Sequence, residues 1–137
     1  ATNTANLIEL AQNTSRDGRP AASDPLLRDR IMRQVIREAG LQQNQRRARV
    51  PALLDHPMRV QLQNKLLASE IAQDTAALAL EVAGASASLY LGDDNAPAGG
   101  QWRRAYMNAD GLTIAAGARA VERNILGERV LGLPKSK

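Results

Sequence analysis

The chain has no cysteine, no phenylalanine, one histidine and one tryptophan among its 137 residues. Without cysteine there are no disulfides and no thiol chemistry, which fits a reducing compartment and makes the cytoplasm the expected location. A single His and no Cys exclude a Cys/His metal site, and no metal ligand set is expected. No apolar run approaches the roughly 20 residues of a membrane span, so no membrane partner is expected, and the opening residues show no signal-peptide pattern. Neither sign of charge prevails strongly: 18 Lys and Arg against 14 Asp and Glu leave +4, spread along the chain. The basic residues lack aromatic interleaving and do not line one helix face, so nucleic acid is not an expected partner.

What is present is aliphatic. Hydrophobic residues make up 44% of the chain and aromatics 2%, with Ala, Leu, Ile and Val supplying most of the apolar surface. Small and aliphatic side chains without β-branched runs favour close-packed helices over a sheet. The length suits one domain with one helical core. The chain opens on Ala1 and enters a helical pattern almost at once. Residues 1–137 therefore read as a single helical domain, a fragment of a longer protein.

The first helix is expected from about Thr4 to Thr14, ended by Gly18 and Pro20. Asp24 before Pro25 starts the second, because Asp can cap free amides and Pro at the first helical position loses nothing. Leu27, Ile31, Val35 and Ala39 then share one face. The polar stretch from Gln42 to Asp55 reads as a frayed helix end and a turn. His56-Pro57 opens a third helix, extended to about Tyr90, at ~1.5 Å per residue some 50 Å long. Val60, Leu67, Ile71, Leu78, Val82 and Leu89 form its stripe, with Leu62, Leu66 and Leu80 nearly opposite. A helix apolar on two sides is central in its bundle or shared with a subunit interface. After a loop at residues 92–100, a short helix is expected around Trp102 to Asn108. A last helix spans about Leu112 to Leu131, stopped by Gly132 and Pro134. The expected fold is all-α: an antiparallel up-down four-helix bundle with an extra short helix.

Candidate chemistry is sparse. Asp93-Asp94 are adjacent carboxylates in a loop, better read as a solvated turn than as a metal site. His56 fits a cap or a surface position. Arg46, Arg47 and Arg49 could contact phosphate, but a solvated helix end accounts for them. Trp102, after a Gly pair, suits an anchor of the loop against the bundle better than a stacking platform. Arg103-Arg104 and Lys135-Lys137 are ordinary charged ends. No nucleophile–base pair, Gly-rich phosphate loop or carboxylate dyad stands out.

The tail from Glu122 to Lys135, ERNILGERVLGLPK, with Thr113-Ile114 and Gly117 before it, resembles the last helix of the acyl-CoA dehydrogenase family. Gly18-Arg19-Pro20 and Lys65-Leu66-Leu67-Ala68-Ser69-Glu70 resemble the turn after that family's opening helix and part of its third long helix. The resemblance covers nearly the whole chain and implies a C-terminal helical domain of a flavoenzyme that oxidises the Cα–Cβ bond of acyl-CoA thioesters. It implies FAD held near subunit interfaces, and homo- or hetero-oligomers with another such subunit. It also implies a glutamate base that removes the α-proton while the β-hydride passes to the flavin. At the matching base position stands Ala116, which accepts no proton, so no catalytic residue is expected in this chain. Where the family holds the cofactor pyrophosphate with Arg and Phe, the chain has Thr14 and Asp17. The family's Gln-x-x-Gly-Gly-x-Gly segment appears as residues 81–87, starting at Glu81 and keeping only Gly84. An expected Arg is Asp110, and an expected Gln is Glu122. The resemblance leaves Gly84 and Gly117 as cofactor-binding positions. Asp17, Glu81 and Asp110 are expected to repel a pyrophosphate.

Three readings follow. The favoured one is a degenerate subunit that forms the oligomer or FAD interface beside a competent partner, with Leu62, Leu66 and Leu80 on the contact. The second is the end of an active FAD-dependent dehydrogenase whose base lies on a missing part of the opening helix. The third is a non-enzymatic helical interaction module. The acyl group of the substrate is not legible.

Overall fold

The structure is a computed structural model that describes residues 2–54, 60–114 and 119–135. Five helices are formed: α1 (Thr4–Asn13), α2 (Pro25–Arg47), α3 (Val60–Ala83), α4 (Gln101–Ile114) and α5 (Arg119–Arg129). Antiparallel packing follows from the cross-helix pairs. Thr4 at the start of α1 donates its N–H to Glu38 late in α2 at 2.9 Å. Arg30 and Arg37 of α2 meet Glu81 and Asp74 of α3 in reverse order. Gln73 of α3 reaches Asp110 of α4, while the C-terminal end of α3 lies by Trp102 at the start of α4. Helix α5, bonded to Lys65 and Glu70, runs on along α3 beyond α4. The expected all-helical up-down bundle is the fold, and its fourth layer holds two helices in succession.

Local chemistry sets the ends. Asn3 Oδ1 caps α1 by accepting from Asn6 N at 3.0 Å, and Asp24 Oδ1 caps α2 by accepting from Leu26 N at 2.8 Å. Helix α2 runs through Arg47, so residues 42–47, expected to fray, are helical. Gln and Arg are sound helix formers, and Arg46 and Arg47 complement the negative end of the helix dipole. Helix α3 stops at Ala83 rather than near Tyr90. Gly84 takes φ +60°, the left-handed conformation that commonly ends a helix, and a 3-10 segment follows to Ser88. Helix α4 is longer than the short helix expected over 102–108. Helix α5 ends before Gly132 at φ +68°, and Leu133 N bonds Gly127 O at 3.0 Å, the expected stop.

Between α1 and α2 lies a feature not expected from the sequence. Ser15–Arg16 (β1) and Arg19–Pro20 (β2) pair antiparallel, with Ser15 opposite Pro20 and Arg16 opposite Arg19. Asp17 and Gly18 form the tip at φ 51° and 76°, the conformation a two-residue hairpin loop requires.

The core gathers at that end of the bundle. Leu7, Leu10 and Ala11 of α1, Leu27 and Ile31 of α2, Leu78, Ala79 and Val82 of α3 and Trp102 of α4 form one buried cluster. The anchor role expected of Trp102 is what its burial gives. Leu66 is buried and Leu80 packs against this cluster within the chain. Both were expected on an interface face; Leu66 is buried within the chain, while Leu80 is half-buried. The side chain of Leu62 lies outside the described residues. Exposed apolar side chains occur on several elements, among them Leu26, Met32 and Ile36 of α2, Tyr106 and Met107 of α4 and Val121 of α5, with Ile36 at 68% exposure.

Candidate functional site

The positions that the sequence marks for cofactor and catalysis fall into three groups. Ala116 and Gly117 lie outside the described residues, as do His56 and Lys137. Gly84 is placed openly: it is exposed, and a Cβ added there would meet no atom within 4 Å. Its backbone is therefore approachable at the end of α3. Thr14 closes α1, donating its N–H to Leu10 O at 2.9 Å and accepting from Ala21 N at 2.8 Å. Asp17 occupies the hairpin tip.

The third group carries the most information. Glu81, Asp110 and Glu122 stand where the resemblance expects Gln, Arg and Gln, and each is bonded to a neighbouring helix. Glu81 accepts from Arg30 of α2. Asp110 accepts from Gln73 Nε2 at 2.5 Å, and Glu122 accepts from Lys65 Nζ at 2.6 Å. Arg123 Nη2, next to Glu122, donates to Glu70 Oε1 at 2.9 Å. Each of these contacts joins α3 to another helix, so the substituted positions serve as ties between helices. Pairing with Arg30 also offsets the negative charge of Glu81, which weakens the repulsion expected there. The Arg30 pKa is raised above its ordinary value, chiefly by the hydrogen bond to Glu81, with burial opposing the rise and the carboxylate's charge adding the least.

Asp93 Oδ1 accepts from Asn95 N at 2.8 Å, which makes the Asp93-Asp94 segment the turn it was read as. Among the described residues no group of three His, Cys, Asp or Glu side chains is placed to hold a metal ion. None of their helices is long and apolar enough to cross a membrane.

The hairpin supplies residues that the sequence reading passed over. Arg16 and Arg19 are exposed cross-strand partners, and neither has an ion pair or side-chain hydrogen bond within the described residues. The available signal was the Asp17-Gly18 dipeptide between two arginines, which is a hairpin loop sequence.

The model of the acyl-CoA dehydrogenase C-terminal domain matches residues 3–131. The chain belongs to the acyl-CoA dehydrogenase family. It is 33% identical over 132 residues to acyl-CoA dehydrogenase IpdE1 of Mycolicibacterium smegmatis, covering 96% of this chain and 30% of the relative. The corresponding figures for acyl-CoA dehydrogenase IpdE1 of Mycobacterium tuberculosis are 30% over 131 residues, 96% and 31%. The chain thus spans about a third of the length of these relatives. The ChsE4-ChsE5 complex from Mycobacterium tuberculosis shares the fold at a TM-score of 0.83 and 23% identity, covering 97% of this chain and 35% of that one.

Members of the family generally use FAD. Its pyrophosphate fits the described residues at the hairpin, where Arg16 and Arg19 are unpaired cations and Gly18 leaves the backbone approachable. Thr14, its N–H and C=O committed to the backbone, and the acidic Asp17 add no cation of their own.

Proposed function

We propose that this chain is the C-terminal helical domain of an acyl-CoA dehydrogenase-like subunit that has given up catalysis and helps build the oligomer and FAD interface of a competent partner. The conversion of Glu81, Asp110 and Glu122 into ties between helices carries the reading. A carboxylate held by a neighbouring helix stabilises the bundle and is taken from contact with a ligand. Ala116 at the family's base position agrees, since a methyl group cannot take the α-proton of a thioester.

In the complete assembly FAD would supply the hydride acceptor. This chain's part would be to present Gly84, Gly117 and the hairpin to the cofactor, and an apolar face to the partner. The outward Met32 and Ile36 of α2 are the side chains we assign to that face, in place of the buried Leu66. A ChsE4-ChsE5 complex in the same fold supports pairing between unlike subunits as an arrangement open to it.

The test is reconstitution. The full-length protein and its candidate partner are purified separately, each is assayed for flavin absorbance, and the two are then mixed. The reading expects the mixture to retain flavin that neither holds alone. Unchanged flavin content on mixing would contradict it.

A further inference from the structure

We propose that α5 is a strap that opens and closes on α3 separately from the rest of the bundle, latched by the ion pairs Lys65–Glu122 and Glu70–Arg123. The buried cluster that holds the bundle together includes no residue of α5. From Ala120 to Arg129 no residue is buried, Val121 is 51% exposed, and just past the helix Leu131 stands out at 68%. Ile125 and Leu126 are half-buried, so the apolar grip of the helix is partial. At 11 residues α5 falls below the roughly 12–15 under which isolated helices are marginal in water, so it melts when it leaves its support. Elements with few buried apolar contacts open locally, at a free energy below that of global unfolding.

The latch is electrostatic and directional. Lys65 Nζ donates to Glu122 Oε1 at 2.6 Å, and Arg123 Nη2 donates to Glu70 Oε1 at 2.9 Å. Each helix thus supplies one cation and one carboxylate. Exchanging the two contacts would set Glu122 against Glu70 and Arg123 against Lys65, so the polarity favours one register of α5 on α3. The carboxylates are the sheltered members, with side chains 12% exposed at Glu122 and 21% at Glu70, against 44% for Lys65 and 64% for Arg123. That shelter strengthens each pair beyond a fully exposed one. Glu122 also lies in the first turn of α5, where a negative charge suits the helix dipole. At the other end the helix closes on itself, Leu133 N donating to Gly127 O at 3.0 Å, so its stop travels with it. Gly117, which the resemblance marks for cofactor contact, stands two residues ahead of α5 in the chain. Opening of the strap therefore releases the anchor on the C-terminal side of that position. The strap does not depend on the paired-subunit reading.

The test is hydrogen exchange, read by mass spectrometry on the full-length protein purified alone. Peptides from residues 119–131 should exchange well before those from residues 71–83 of α3, whose buried positions belong to the core. Arg123→Glu, made at the more exposed partner, sets two carboxylates together. It should speed α5 exchange by about fivefold or more while the core peptides and Trp102 emission stay as in the parent. Arg123→Gln removes the pair without adding repulsion and should fall between the two. The swap Glu70→Arg/Arg123→Glu restores opposite charges and should bring α5 exchange back to within about twofold of the parent. Peptides of α5 as strongly protected as those of α3 would overturn the strap, because helix and bundle would then open together. Unchanged α5 exchange in Arg123→Glu, or a swap that stays as fast as that single variant with the core intact, would overturn the latch.

Discussion

Arg30 of α2 donates a hydrogen bond to Glu81 Oε1 of α3, fifty-one residues further along the chain. Glu81 opens the segment that the resemblance marks for flavin contact, so one residue belongs at once to a cofactor motif and to the packing of two helices. Both partners are about half exposed, which limits the pair to about 0.2–1 kcal/mol by double-mutant cycle. The expected coupling shrinks as salt is raised. The pH dependence follows from the raised pKa of Arg30. Such a group contributes its stability below its unfolded value and loses it only as pH rises through the still higher folded value. Both lie in the strongly alkaline range, so the coupling should be flat from pH 7 to about 10, measured by urea denaturation of the four variants.

Gly100 cannot carry a side chain. A Cβ there would lie 2.5 Å from Leu91 N and 2.5 Å from Tyr90 C, and its φ of +76° is left-handed. The left-handed cost of about 1–2 kcal/mol adds to a clash with backbone that has no rotamer to yield. Gly100→Ala is expected to destabilise by about 2–4 kcal/mol in urea unfolding. Gly84→Ala, strained at φ +60° but meeting no atom, should cost less.

Thr75 is 2% exposed and its hydroxyl has no hydrogen-bond partner within the described residues. Burying a hydroxyl without a partner costs about 1–3 kcal/mol by protein mutational measures. Thr75→Val, which replaces it with a methyl of similar shape, should raise stability by about 1 kcal/mol. A loss of stability would show that the hydroxyl is bonded in solution.

Trp102 fills the meeting point of α1, α3 and α4 at 3% exposure. Trp102→Ala should cost about 3–5 kcal/mol. As the single tryptophan, it also makes fluorescence a direct probe of core unfolding. Its emission should be blue-shifted in the native state and shift red in the same transition that circular dichroism reports.

The elements most legible in the sequence are those fixed by neighbours in the chain. Asp24-Pro25 started α2 because a carboxylate two residues from Leu26 N needs no tertiary contact to cap it. Gly132 stopped α5 because a left-handed terminus favours a residue without Cβ. What escaped depends on distance or on register. The partners of Glu81, Asp110 and Glu122 lie 51, 37 and 57 residues away, so composition could not announce that these carboxylates tie helices together. Leu66 and Leu80 face away from the main stripe of α3 and were assigned outward, but α3 is central in the bundle and is packed on both sides. The arginine pair was hidden because only strand pairing brings Arg16 opposite Arg19. The family resemblance was carried by the long tail motif, while the structure of its base position at Ala116 lies outside the described residues.

The central claim is that the chain serves as a structural half of a flavin-binding pair. Its most direct test is the visible spectrum of the full-length protein, purified alone and again after co-expression with its candidate partner. The account predicts a colourless protein alone and a flavin band in the stoichiometric complex, lost when Ile36→Glu disrupts the α2 face. A flavin band of full occupancy in the protein purified alone would contradict it.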